Sequence, residues 1–125
     1  MSSPLRLPVL LAGLVLAAAP SLALAQAPAS SVGVRLFNTQ CAACHGEKST
    51  LAGPTLKGVA GAPIAGRSDY AYSAGLKAKR GTWTDANLDA YLAKPLAFAP
   101  GTRMVVAVPD AHSRAAIITY MKTLK

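Results

Sequence analysis

Acidic residues are scarce in this sequence. Five Asp and Glu stand against thirteen Lys and Arg in 125 residues. Cysteine is scarcer still: Cys41 and Cys44 are the only two. A zinc site wants four ligands, so two thiols cannot complete one alone. Strand-like alternation is also missing. The best candidate, residues 104–108, is five residues long and runs into Pro109, which gives no basis for a sheet. No internal repeat appears. The longest apolar run, residues 9–19, has 11 residues, well short of the roughly 20 that a membrane-spanning helix needs.

That short run has a different meaning. Arg6 precedes it, Pro20 breaks it, and Ala23-Leu24-Ala25 follows as a small-residue cleavage site. Basic, apolar and small-residue segments in that order make a secretory signal peptide. The expected arrangement is a signal peptide over residues 1–25, a short Ala/Pro linker over 26–31 and one domain over 32–125. No cysteine stands at the cleavage point to carry a lipid. The expected location is the periplasm. Twelve of the thirteen basic residues and all five acidic ones lie beyond residue 25, a formal charge of +7. A basic surface suits an acidic partner. For an exported chain, a redox protein with an acidic docking surface fits better than nucleic acid.

Three main helices are expected. In the first, over about residues 31–44, Gly33, Phe37, Cys41 and Cys44 share one face. The second covers about 84–93, with Thr84 or Asp85 as cap, Leu88, Tyr91 and Leu92 inward, and Pro95 as terminator. The third covers about 110–124. Asp110 caps it, and Ile117, Ile118, Met121 and Leu124 form its buried stripe. A shorter helix is expected around 68–78. Residues 46–66 hold five glycines and two prolines, which marks a loop. A loop that long in a small domain is usually functional or wrapped around something.

The chemistry sits in Cys41-Ala42-Ala43-Cys44-His45, the C-x-x-C-H attachment motif of c-type haem. Two thiols three positions apart on one turn reach both vinyl groups of one porphyrin, and the next residue aims an imidazole at the iron. A thioredoxin-like disulfide is the first rival, but it needs a βαβ pattern that is not found. A zinc site is the second. His112 is its only other plausible soft ligand, and adjacent Cys44 and His45 suit a tetrahedral site poorly. A chance match of five residues is the third.

The downstream sequence bears on that choice. Gly53-Pro54-Thr55-Leu56-Lys57-Gly58 follows closely. A ligating histidine donates its second ring N–H to an acceptor, and the Pro54 carbonyl is the candidate. The opposite axial position could be filled by Met104, Met121 or His112. Met104 lies in a turn-forming Pro100-Gly101-Thr102-Arg103-Met104 loop that can aim a side chain inward. Met121 lies on the stripe of the last helix, where packing is the better role. His112 belongs to an exposed first turn. Met104 is the expected ligand, and a His/Met pair suits electron transfer.

These residues in this order resemble the small soluble class I c-type cytochromes, the mitochondrial cytochrome c type included. The resemblance runs over nearly all of residues 32–125. It includes Gly33 and Phe37 ahead of the haem motif, the Gly53–Gly58 segment, Tyr70, Tyr72, Ser73, Trp83, Tyr91, Leu92 and Pro95. The Met104 loop and Ile118, Tyr120 and Lys122 complete it. It implies an all-α cytochrome c fold wrapped around one haem c attached through Cys41 and Cys44. It implies that Tyr72 and Trp83 bond a haem propionate, that Tyr91 bonds the Met104 sulfur, and that Gly33 lets the first and last helices cross at Tyr120. There are departures, and the first points to a bacterial relative. The loop after His45 is short. Ala62 stands where the mitochondrial proteins carry an arginine, leaving Arg67 as the candidate substitute. The lysine ring is thin, mainly Lys57, Lys94 and Arg103.

The implied function is a diffusible one-electron carrier, monomeric when free. A haem subunit docked on a dehydrogenase would do the same chemistry. Peroxidase-type catalysis would need an open iron position and a distal acid–base group, for which no histidine is placed when Met104 is bound.

Overall fold

The computed structural model describes residues 28–125. The leader expected over 1–25 and the first two linker residues lie outside the described residues. Five helices follow in order: α1 (Ala29–Gln40), α2 (Ala74–Lys77), α3 (Asp85–Ala93), α4 (Pro95–Phe98) and α5 (Ala111–Met121). Among the described residues the only β pairing is an isolated antiparallel bridge between Pro63 and Thr82. The all-α expectation holds. No described helix is long and apolar enough to cross a membrane.

The framework is a crossing of α1 and α5. A Cβ on Gly33 would sit 2.2 Å from the Ala116 carbonyl oxygen and 3.0 Å from the Tyr120 Cβ, so only glycine admits this approach. One turn on, Phe37 meets the Tyr120 ring edge-on at 5.1 Å. Ile117, Ile118 and Met121 of α5 join Leu88 and Leu92 of α3 in one buried cluster. Each such side chain contributes about 1.5–3 kcal/mol on burial. Arg114 locks the junction: its Nε donates to Asp89 on α3 at 2.6 Å, and its Nη1 to the Val108 and Pro109 carbonyls.

Helix ends follow local chemistry. The Thr84 hydroxyl accepts from Asn87 N–H and caps α3, and Asp110 accepts from Ser113 N–H and caps α5. The Ser113 bond holds the Asp110 carboxyl below its usual range. Pro95 ends α3 as expected, but it also opens α4, which the sequence did not announce. Its fixed φ suits the first position of a helix.

Three boundaries differ from expectation. The first helix stops at Gln40 instead of running through Cys44. Cys41 and Ala42 N–H both bond the Phe37 carbonyl, and Cys44 and His45 N–H both return to the Cys41 carbonyl. The haem motif is therefore a turn. Thr39 contributes, because its hydroxyl takes the Arg35 and Leu36 carbonyls of the last turn. The short helix shrinks to Ala74–Lys77, since Ser73 is extended and caps it. Asp69, placed in that helix by the sequence, instead pairs with Arg67 just before it. The last helix gives way after Met121 to turns, leaving Leu124 half-buried.

Residues 46–66 form no helix or strand, yet they are pinned. Gly58 N–H bonds the Leu124 carbonyl at 3.0 Å, Gly61 N–H the Trp83 carbonyl at 2.9 Å, and Ile64 N–H the Gly81 carbonyl at 3.1 Å. The segment wraps one side of a cavity.

Candidate cofactor site

All eight residues singled out in the sequence line this cavity: Cys41, Cys44, His45, Pro54, Tyr72, Trp83, Tyr91 and Met104. They come from the turn after α1, the 46–66 segment, the approach to α2, α3 and the loop after α4. The structure thus gathers residues scattered over some sixty positions of chain.

One wall carries the two thiols and the imidazole. Neither cysteine is in a disulfide. Burial pushes the Cys41 thiol up from its ordinary value. His45 Nδ1 lies 2.7 Å from the Pro54 carbonyl oxygen. A carbonyl can only accept, so Nδ1 carries the proton and Nε2 keeps its lone pair for a metal. Gly53 completes this wall. A Cβ there would lie 2.9 Å from the Cys44 carbonyl oxygen and 3.0 Å from the His45 Cε1, so the missing side chain lets the ring lie against the loop.

Another part of the wall carries Met104 with Tyr91, Thr102 and Leu76. The resemblance implies a bond from Tyr91 to the Met104 sulfur. In the structure the Tyr91 hydroxyl is 2.7 Å from the Thr102 hydroxyl. Both residues are buried, and burial raises the Tyr91 phenol above its ordinary pKa. Thr102 escaped the sequence reading. A threonine two places before the methionine, inside a tight loop, was the available signal, because a buried hydroxyl needs a partner. Gly75 was missed too. A Cβ there would lie 2.0 Å from the Pro100 carbonyl oxygen, so α2 fits against the methionine loop only with glycine.

Trp83 is buried and stacks on Phe98 at 5.8 Å. Tyr72 is half-buried, and burial lifts its phenol. Ala62 and Arg67 both line the cavity. Arg67 is held by Asp69, whose carboxyl that guanidinium keeps below its usual range. Met121 is buried in the core and touches the cavity from α5, while His112 is exposed.

Among the described residues no three His, Cys, Asp or Glu side chains cluster to hold an ion, which removes the zinc alternative there. The donor set fits haem instead. Two thiols, a neutral imidazole nitrogen and a thioether line one cavity, together with Leu56, Val59, Leu88, Leu92 and Val108. Cys41 and Cys44 would carry the thioether bonds, and His45 would supply an axial nitrogen. Fold and site define an all-α protein with covalent c-type haem attachment.

Comparisons carry the identification further. The family model for cytochrome c matches residues 30–125. The chain is 40% identical over 97 residues to cytochrome c-type cyt cy of Rhodobacter capsulatus, covering 76% of this chain and 49% of that protein. It is 39% identical over 97 residues to cytochrome c of Tetrahymena pyriformis, covering 76% of this chain and 88% of that one. The solved structure of cytochrome cH from Methylobacterium extorquens superposes with a TM-score of 0.70 at 42% identity, over 75% of this chain and 97% of that one. The chain spans about half the length of the Rhodobacter relative and most of the other two. It belongs to the cytochrome c family. It accordingly binds one haem c covalently through Cys41 and Cys44 and carries electrons.

Proposed function

We propose that this protein is an exported, periplasmic one-electron carrier whose iron is held between His45 and Met104. Bound haem supplies a reversible one-electron iron couple. The observation that carries the reading is the pairing of His45 Nδ1 with the Pro54 carbonyl at 2.7 Å, with Met104 in the same cavity. That pairing fixes the tautomer, orients the ring and leaves Nε2 as donor. Met104 would supply the second iron ligand, which would leave no position for a substrate on the metal. Tyr72 and Trp83 are assigned to the haem propionates, which suits their apolar bodies and polar tips. The Tyr91–Thr102 pair fixes the loop that bears Met104.

The signal-like residues 1–25 support export, and the basic charge supports a redox protein bearing carboxylates as partner. Two measurements test the reading. The ferric holoprotein should show the long-wavelength band of a sulfur–iron bond. Its absence removes Met104 as ligand. Mass analysis of protein from the periplasmic fraction should give a chain beginning at Gln26 plus one haem. A chain retaining residues 1–25 removes the cleaved leader.

A further inference from the structure

The basic residues at the end of α2 differ in what they touch. Lys77 and Arg80 are exposed, whereas Lys79 is half-buried. Its backbone N–H returns to the Leu76 carbonyl at 3.1 Å, which turns the chain just after the helix. Its Nζ then stands over the Phe98 ring at the end of α4, 4.6 Å from the ring centre. No carboxylate pairs with Lys79 among the described residues. An ammonium in that place is held by the negative face of the ring.

Phe98 does not stand alone. It stacks on Trp83 at 5.8 Å and meets Tyr91 edge-on at 5.5 Å. Trp83 and Tyr91 also touch, at 5.2 Å. The three rings therefore pack as one unit. Tyr91 carries that unit to the methionine loop, because its hydroxyl is 2.7 Å from the Thr102 hydroxyl. A line of contacts thus runs from Lys79 through Phe98 and Tyr91 to the loop that bears Met104. The stretch of chain before Lys79 grips the same loop at two further points. Arg103 gives its guanidinium to the Ala71 carbonyl, and Gly75 leaves no room for a side chain beside the Pro100 carbonyl.

We infer that Lys79 is a positioning residue for Met104: its ammonium pins the Phe98 ring against Tyr91, which sets the Thr102 hydroxyl and keeps the thioether on the iron. The inference rests on the His45/Met104 reading and adds to it a residue outside the cavity lining. Releasing Lys79 loosens the ring unit, and Met104 then leaves the iron more often. Spatial continuity alone does not establish coupling between two positions, so the decisive measurement is of coupling itself.

Imidazole titrated into the ferric holoprotein provides that measurement. This small base takes an iron position only where Met104 has left, so its apparent affinity reports the freed fraction. At about pH 8 it is largely uncharged, so a lost surface charge does not steer it. Lys79→Gln should raise the apparent affinity about 2–5-fold, the size expected for one cation–π contact. Lys79→Arg keeps a cation over the ring and should match the parent. Lys77→Gln makes the same charge change at an exposed neighbour and should also match the parent. Phe98→Leu should raise the affinity at least as far as Lys79→Gln does. Adding Lys79→Gln to Phe98→Leu should change nothing more.

A Lys79→Gln affinity equal to that of Lys77→Gln overturns the inference. So does a Lys79→Arg affinity equal to that of Lys79→Gln. So does a Lys79→Gln effect undiminished in the Phe98→Leu background, because the lysine then acts without the ring. The sulfur–iron band keeps the two readings apart. A parent that shows the band but meets any of these three outcomes loses only the role of Lys79. A parent without the band loses Met104 as ligand, and the positioning role with it.

Discussion

The two walls of the cavity are assembled over different distances in the chain. Cys41, Cys44 and His45 sit on one turn, and the acceptor for His45 is nine residues away. Met104 sits in a loop whose geometry depends on Tyr91, eleven residues before Thr102, and on Gly75 pressed against Pro100. One wall is local and the other is tertiary. The local wall has few parts and carries both thiols that bind the haem. The tertiary wall has many parts, any of which can loosen it without unseating the cofactor. Substitutions on the two sides should therefore fail differently.

The largest effect is expected at the local wall. His45→Ala removes the nitrogen proposed to ligate the iron, and little holoprotein should accumulate, measured as haem per chain after purification. Met104→Ala should leave attachment intact and lower the reduction potential by on the order of 100 mV or more, because the axial ligand is a main determinant of potential. Redox titration reads it. An unchanged potential would show that Met104 is no ligand.

Gly75→Ala sharpens the comparison, because it strikes only the tertiary wall. A Cβ 2.0 Å from the Pro100 carbonyl oxygen forces backbone to move. Overpacking of this kind costs about 1–3 kcal/mol. Denaturant unfolding should report that loss, and the sulfur–iron band should weaken while haem content stays at the parent level.

The smallest effect lies outside both walls. Asp110 caps α5, and its carboxyl is held below the ordinary range by Ser113 N–H. A depressed folded pKa means the unfolded chain binds the proton more tightly, so this group adds stability above the unfolded value, near 3.9. That stability fades as pH falls through the lower folded value. Asp110→Asn, which can still accept from Ser113, should flatten this acid limb of thermal stability without altering the visible spectrum at neutral pH.

The same local–tertiary divide explains what could be read from sequence. The haem motif is legible because its spacing is its chemistry. Pro54 is legible because a ligating histidine needs an acceptor, and the segment following the motif offers one. The caps at Thr84 and Asp110 and the stripe of Ile117, Ile118 and Met121 are legible because helix chemistry repeats every turn. The extent of α1 was not, because Cys41 and Cys44 fit the helical period even though the chain had already turned. Asp69 was assigned to a helix because a propensity reading does not see its ion pair with Arg67. Gly75 and Thr102 were passed over because their roles exist only once α2 and α3 have met the methionine loop. The pairing of the basic residues around the cavity was only half visible. The thin lysine ring could be counted, but the pairing of Lys57 with Glu47 and Arg67 with Asp69 needed the fold.

The central claim is that the iron is closed by His45 on one side and Met104 on the other. Proton NMR of the reduced holoprotein tests it most directly, since a methionine methyl over the haem is shifted far upfield by the ring current. One such methyl is predicted in the parent and in Met121→Leu, and none in Met104→Ala. Its absence from the parent, or its loss in Met121→Leu with survival in Met104→Ala, would contradict the account.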